Sequence, residues 1–417
     1  RTRDRRSWAN EPDVAWAPSR SARSEPGSSA KTASSSISTA PLAAAASLRI
    51  RISNGPGSGD RNLGPGPDRL WSSLAAGRRR RAANCCLGVG QKGGEHVSTL
   101  VTGVAGFIGF HVVRALVARG ESVVGIDNLQ RSHNPALTDS RRVALEGLPG
   151  YGFQRLDVTD RDGMRRLFES RPDIDAIVHL AGQAGVRYSV ENPYIYLHNN
   201  IEAFVVLLET CRALPSLRHL VYASSSSVYG ANNKLPFSVE DRADSPVSLY
   251  GATKKAMEVI GHSYARMYEL RLSGLRFFTV YGPWGRPDMA AYMFTERIIE
   301  GRPIPVYNRG EMRRDFTYVD DIVAGILGCL DHPPEAGVHR VYNLGNNRSE
   351  PLADFIAAIE AAAGRSAIVE YKAMQAGDMV ETYADIEASR RDFGFEPRVD
   401  IREGMARFVA WYRQYRS

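Results

Sequence analysis

A tyrosine and a lysine four residues apart, Tyr250 and Lys254 in "LYGATKKA", follow a run of four serines, "SSSSVYG" at 224–230, by about twenty positions. On a helix, positions i and i+4 share a face, so the phenol and the ammonium would point into one site. A phenol titrates near pH ~10 and takes a proton at neutrality only where neighbouring positive charge favours the phenolate. Lys254 supplies such a charge. The serine run ends a strand, so one of its hydroxyls would orient the substrate oxygen being deprotonated. The bland alternative for the pair is an exposed amphipathic stripe.

An alcohol that loses its proton to such a base can also lose a hydride, and the chain carries the elements to bind an acceptor. The segment "TGVAGFIG", with Gly103, Gly106 and Gly109, follows a short apolar strand, "STLVTG". It opens a helix expected over Phe107–Arg119, and a second strand, "SVVGID", ends in Asp127. That context is what the dinucleotide fingerprint requires: glycines admit a pyrophosphate to the backbone, and a helix N-terminus offers free N–H groups. Asp127 would accept from an adenosine ribose and repel a 2′-phosphate, which selects NAD over NADP; Arg131 is the one residue that speaks the other way. "GFQRLDV", "AIVHLAG" and "HLVYASS" read as further strands separated by helical stretches, with helices expected near 192–212 and 248–268. The alternation predicts an α/β fold, a Rossmann-type doubly wound parallel sheet. After "LRFFTVYG" the pattern loosens into a smaller C-terminal substrate-binding α/β region. The expected division is a leader over 1–96, an NAD-binding domain over 97–278 and a substrate-binding region over 279–417, interleaved with the first.

The chain has 417 residues, 43% of them hydrophobic, and a formal charge of +7. Residues 1–96 hold 16 Lys/Arg and 7 Asp/Glu, so the remainder has 37 basic and 39 acidic residues and no basic excess. That leader is rich in Ser, Ala, Gly and Pro and lacks any helix or strand period, a composition that does not build a core. "RRRR" at 78–81 could bind nucleic acid and the Arg/Ser bias fits a transit peptide, but the expectation is a disordered leader or a stretch of upstream reading frame, with Val97 a natural start. No run of ~18 apolar residues is present to span a bilayer. Cys211 and Cys329 show neither metal nor disulfide spacing and read as small buried hydrophobes in a reducing cytoplasm; no metal site is expected. His179 reads as structural, Asp320 and Asp321 as caps of the following helix, and Phe408, Trp411, Tyr412 and Tyr415 as packing.

The set of motifs resembles the extended short-chain dehydrogenase/reductases, and among them the nucleotide-sugar epimerases. The resemblance covers 97–417. Within that group "AGQAGVRYS", "YASSSSVYG", "FFTVYGPWGRPDM" and "GEMRRDFTYVDDIV" most resemble the branch that epimerises UDP-glucuronate at C4. The resemblance implies that Ser225, Tyr250 and Lys254 are catalytic. It implies that NAD lies against Gly103, Gly106, Phe107, Ile108 and Gly109, with Asp127 and Asn128 at the ribose and Asp157 and Val158 at the adenine. Leu180, Ala181, Gly182, Asn199 and Phe278 would line the cofactor. Thr279 would face the substrate, and Arg314 with Asp378 would hold the UDP pyrophosphate and ribose. It also implies a homodimer pairing the helices near 192–212 and 248–268. Two departures stand out: Gln375 and Ala376 replace an Arg and a Pro usual in glucose-type relatives. Ser226 and Ser227 stand where dehydratases and decarboxylases of the family carry an acid, which argues for epimerisation over elimination of water. A catalytically silent NAD-binding sensor is the other class of function such a chain could serve.

A uronate carries a carboxylate on C5, and a buried carboxylate needs a paired cation or several donors. Arg286 in "GPWGRPDM" and Arg187 in "AGVRYS" are placed to serve, with the hydroxyls of Ser226 and Ser227.

Overall fold

The computed structural model describes residues 97–130, 134–374 and 379–417. The leader, Arg131, Gln375, Ala376 and Asp378 therefore lie outside the described residues.

Seven strands form one parallel sheet: β1 (Ser98–Thr102), β2 (Ser122–Asp127), β3 (Tyr151–Arg155), β4 (Ile174–His179), β5 (His219–Ser225), β6 (Leu272–Phe277) and β7 (His339–Leu344), in the order β7-β6-β5-β4-β1-β2-β3. Helices α1 (Phe107–Ala118), α2 (Pro135–Leu145), α3 (Arg161–Ser170), α4 (Ala203–Cys211) and α5 (Leu249–Tyr268) connect the first six. Every residue of β1 and of β6 is buried, as expected of strands covered on both faces. Alternate β1 residues feed different cores: Leu100 packs with Val124, Ile126, Ile177 and Phe204, whereas Val101 packs with Val123, Phe110 and Val178. Chain direction reverses its walk across the sheet between β1 and β4, which opens a crevice at their C-terminal ends. The doubly wound reading of the sequence is thus observed, with one addition: β7 comes from beyond residue 330 and pairs in register with β6, Asn343 opposite Arg276.

Local chemistry sets the element ends. α1 ends at Ala118 with Arg119 as its cap, and Gly120 follows at φ +79°, a left-handed residue beyond the cap. α5 starts at Ser248, whose hydroxyl accepts from the Gly251 amide at 3.0 Å. Cys211 and Cys329 are buried, as are Phe408 and Tyr412 of the last helix, Ile401–Arg416. Two expectations change. The helix read over 192–212 is broken: one turn at Pro193–Tyr196, a π-helical stretch at Leu197–Glu202, then α4. Asp320 and Asp321 do not cap. They sit inside the first turn of the helix Val319–Asp331, where Asp321 accepts from the Val399 amide at 3.0 Å and Asp320 faces Arg407 at 3.6 Å. Among the described residues no helix is long and apolar enough to cross a membrane.

Candidate active site

The crevice is a cleft of about 1060 Å³. Every residue named above as cofactor-, substrate-binding or catalytic that the structure describes lines it. Asp378 lies outside the described residues.

The floor is the turn after β1. Gly103 has φ +75°, and a Cβ there would lie 2.7 Å from the Ala181 amide nitrogen. A Cβ on Gly109 would run into the Gly103 carbonyl. Gly106 is the N-cap of α1 and offers no side chain to the first N–H groups, which leaves them to an outside acceptor. Asp127 ends β2 and braces this loop: Oδ2 accepts from the Ala105 amide at 3.0 Å and Oδ1 from Leu129 at 2.8 Å, while burial pushes its pKa up. Asn128 donates to Asp157 at 2.8 Å, and Asn199 donates to Gln130 at 3.0 Å. A backbone cradle that no side chain could occupy, a bare helix start and an acidic residue at the next strand end fit a dinucleotide.

The wall opposite is β5 and α5. Tyr250 and Lys254 lie on one face of α5, as their spacing required. Burial raises the Tyr250 pKa; a hydrogen bond from the Ser225 hydroxyl and the charge of Arg286 pull it back. Lys254 is buried and donates to the Ala223 carbonyl at 2.9 Å, and burial lowers its pKa to about 8. Arg286 thus adds a second positive charge near the phenol, besides the Lys254 that the spacing pointed to. The serine run divides by strand alternation. Ser224 donates backwards to Glu258 at 2.7 Å, whereas Ser225 faces Tyr250 and accepts from the Ser227 amide at 3.2 Å. Ser226 and Ser227 open a 3₁₀ turn, Ser226–Tyr229, half-buried in the cleft. His179, below them, is structural: it meets the Thr102 hydroxyl at 2.8 Å, and burial lowers its pKa to about 3.

The arginines divide too. Arg286 is half-buried. Its Nε and Nη2 hold both oxygens of Asp288, at 3.0 and 2.6 Å, and Tyr250 and Tyr196 lie within reach of its charge. Arg187 is exposed and stacks over the Tyr307 ring at 5.1 Å. Arg314 donates to the Val380 carbonyl at 3.0 Å. Thr279 is fixed through its amide to the Asp315 carbonyl at 3.1 Å.

Sequence reasoning missed four contributors. Asp288 stands two residues from Arg286 and was legible as its partner. Tyr196 packs edge-on against Tyr250, with centroids 6.1 Å apart, and donates to the Gly185 carbonyl at 2.6 Å. Asn200, fully buried, accepts from the Gln183 amide at 2.8 Å and donates to Thr253 at 3.0 Å, tying the β4 turn to α5. Its neighbour Asn199 reaches Gln130 instead, and the π-helical stretch hides this phase from any 3.6-residue period. Glu258, one turn beyond Lys254, makes a bidentate pair with buried Arg276, both bonds 2.8 Å.

Residues 99–345 match the model of the NAD dependent epimerase/dehydratase family. UDP-glucuronate 4-epimerase 2 of Arabidopsis thaliana is 46% identical over 336 residues, 76% of either chain. The structure resembles UDP-glucuronic acid 4-epimerase from Bacillus cereus, solved with UDP-glucuronic acid and NAD, at a TM-score of 0.71 and 32% identity over 76% of this chain and 100% of that one. It also resembles a UDP-glucose 4-epimerase from Thermotoga maritima, solved with UDP-glucose, at a TM-score of 0.70 and 29% identity over 77% and 100%.

Proposed function

The chain belongs to the NAD dependent epimerase/dehydratase family, and from that membership we propose that it inverts C4 of UDP-glucuronate to give UDP-galacturonate, through a 4-keto sugar. The observation that carries the uronate is Arg286, a guanidinium facing the phenol of Tyr250 in the cleft that also holds Ser226 and Ser227. A neutral hydroxymethyl group would not need it.

NAD held in the cleft would supply a reversible hydride acceptor for C4, and its positive ring would add to the charge favouring a phenolate. Tyr250 Oη takes the proton of the sugar 4-hydroxyl and later restores it. The Ser225 hydroxyl, which faces that phenol, orients the reacting oxygen. Lys254 holds the cofactor ribose and adds positive charge to the face it shares with Tyr250. Asp127 and Asn128 take the adenosine ribose, and Asp157 with Val158 flanks the adenine. Arg314 and Asp378 anchor UDP while the flat keto sugar turns over within the site. Inversion follows because the hydride returns to the opposite ring face.

Oxidation at C4 makes a β-keto acid, which loses CO₂ once the C5–carboxyl bond aligns with the carbonyl π system. Arg286, Ser226 and Ser227 hold the carboxylate out of that alignment. The test is incubation with UDP-glucuronate and UDP-glucose separately, with products identified by NMR. Galacturonate from the first and little turnover of the second are expected; the reverse preference overturns the reading. One observation favours the neutral sugar: Asp288 already engages the Nε–Nη2 edge of Arg286.

We also infer a cytoplasmic homodimer. Two buried thiols, Cys211 and Cys329, suit a reducing compartment. Tyr194, Leu197, Val259 and Met267 are exposed apolar side chains, 46–79% accessible, within the 192–212 and 248–268 stretches named as the pairing surface, and exposed Val190 lies just before the first.

A further inference from the structure

The loop that carries Arg286 is held from the dinucleotide side of the cleft. In Gly282–Arg286 the middle residue, Trp284, adopts φ +64°, a left-handed conformation that a bulky residue takes only when its surroundings impose it. Two carbonyls of this turn are gripped. Pro283 O accepts from His111 Nε2 at 2.8 Å, and His111 is a buried residue of α1. Trp284 O accepts from both Nε and Nη2 of Arg141, at 3.1 and 2.7 Å. The third nitrogen of Arg141, Nη1, donates at 3.0 Å to the carbonyl of Ala105, inside the glycine loop.

Arg141 is 5% exposed. Taking a guanidinium out of water to serve carbonyls alone is expensive; burial drags its pKa down to about 10. The planar fork reaches the two carbonyls from separate nitrogens in a fixed geometry, which the single nitrogen of a lysine does not reproduce. The bridge therefore joins the backbone at the expected pyrophosphate site to the backbone one residue from Gly285 and two from Arg286.

We propose that Arg141 is a positioning residue for Arg286: it locks the Gly282–Arg286 turn to the glycine loop, so that the grip on the substrate carboxylate is set by the same backbone that receives the cofactor. The inference rests on the uronate reading of Arg286 for its catalytic consequence, but its geometric part stands apart from that reading.

The test is a double-mutant cycle with Arg141→Met and Arg286→Ala in the full chain, read by kcat and KM on UDP-glucuronate and by hydrogen exchange. A misplaced anchor of about 1 Å costs up to ~10²-fold, so Arg141→Met is expected to lower kcat/KM ~10–100-fold, mainly through kcat. It should raise the share of decarboxylated keto pentose and speed amide exchange across residues 282–290. In the Arg286→Ala background the same substitution should cost less than ~3-fold, because nothing is left to aim. Unchanged exchange at 282–290, or an undiminished loss in the Arg286→Ala background, overturns the proposal. Normal turnover by Arg286→Ala instead overturns the uronate reading, and the exchange measurement still decides whether Arg141 fixes the turn. Should Arg141→Met fail to fold, Arg141→Lys, which keeps the charge but reaches one carbonyl, is read the same way.

Discussion

Glu258→Ala should destabilise the protein more than any substitution inside the cleft. Glu258 and Arg276 are each 3% exposed and joined by two bonds of 2.8 Å. Burial opposes the carboxylate's charge, yet the hydrogen bonds and charge of Arg276, with the Ser224 hydroxyl, hold its pKa below the usual range. Removing it leaves a buried guanidinium with one nitrogen, Nη1, already lacking a hydrogen bond, and only the Tyr229 ring, 4.7 Å from its centre, as compensation. Ser224 loses its acceptor as well. Breaking a buried pair in this way costs ~3–5 kcal/mol, which at ~2–4 °C per kcal/mol is a fall in Tm of roughly 6–20 °C. The assay is thermal or urea unfolding of the single variant and of Glu258→Met/Arg276→Met. A pair replaced by apolar residues of similar volume avoids the orphaned charge, so the double variant should recover most of the loss. A single-variant cost under ~1 kcal/mol, or a double variant no better than the single, would refute the argument that the unpaired charge sets the cost.

Tyr250→Phe should lower turnover ~10²–10⁴-fold, the range for losing a positioned acid–base, while NAD stays bound; more than a tenth of wild-type kcat would exclude Tyr250 as the base. Arg286→Ala should slow epimerisation of UDP-glucuronate ~10²-fold, about the ~2–3 kcal/mol of a charge-assisted contact, and release a decarboxylated keto pentose; normal turnover would remove the arginine from the site. His111, His179 and His219 are buried and His339 half-buried, and desolvation depresses their pKa values from 6.5 to about 3–4. The unfolded chain therefore binds more protons, and their contribution is full above pH ~6.5 and lost as pH falls through ~4. Asp315 and Asp320, each raised by burial from 3.8 to about 6, act oppositely, losing stability as pH rises through that value, and burial raises Asp127 and Asp321 in the same direction. The four imidazoles are displaced further than these carboxylates, so Tm should fall between pH 6.5 and 4; a flat profile there would contradict the burial of the imidazoles. Tyr194→Asp should shift sedimentation from dimer to monomer without lowering Tm by more than a few degrees; an unchanged sedimentation coefficient argues for a different pairing surface.

What could be read from the sequence was whatever depends on local spacing. The glycine turn, the shared face of Tyr250 and Lys254, and the strand end at Ser225 follow from periods of 3.6 and 2, and the structure keeps them. What could not be read depends on partners distant in the chain. Nothing in "SRRVAL" says that Arg141 reaches Trp284, 143 positions away. Nothing in "KKAMEV" says that Glu258 closes on Arg276 across β6. Asn199 and Asn200 were inseparable because the π-helical stretch shifts the phase by a fraction of a turn. Asp320 and Asp321 look like caps by composition, yet the helix begins one residue earlier, at Val319, and Tyr318 takes the cap position.

β7 is drawn from beyond residue 330, yet it flanks β6, all six of whose residues are buried. During synthesis, β6 leaves the ribosome some sixty residues before the strand that covers it. Over that interval the nascent chain presents a hydrophobic strand with one row of unpaired amides and carbonyls, the template on which foreign strands add. A chain halted near residue 278 would own every catalytic residue of the Ser225, Tyr250 and Lys254 set and still keep that edge open. Truncations there should accumulate in inclusion bodies, and chaperone demand should peak before residue 344 is made.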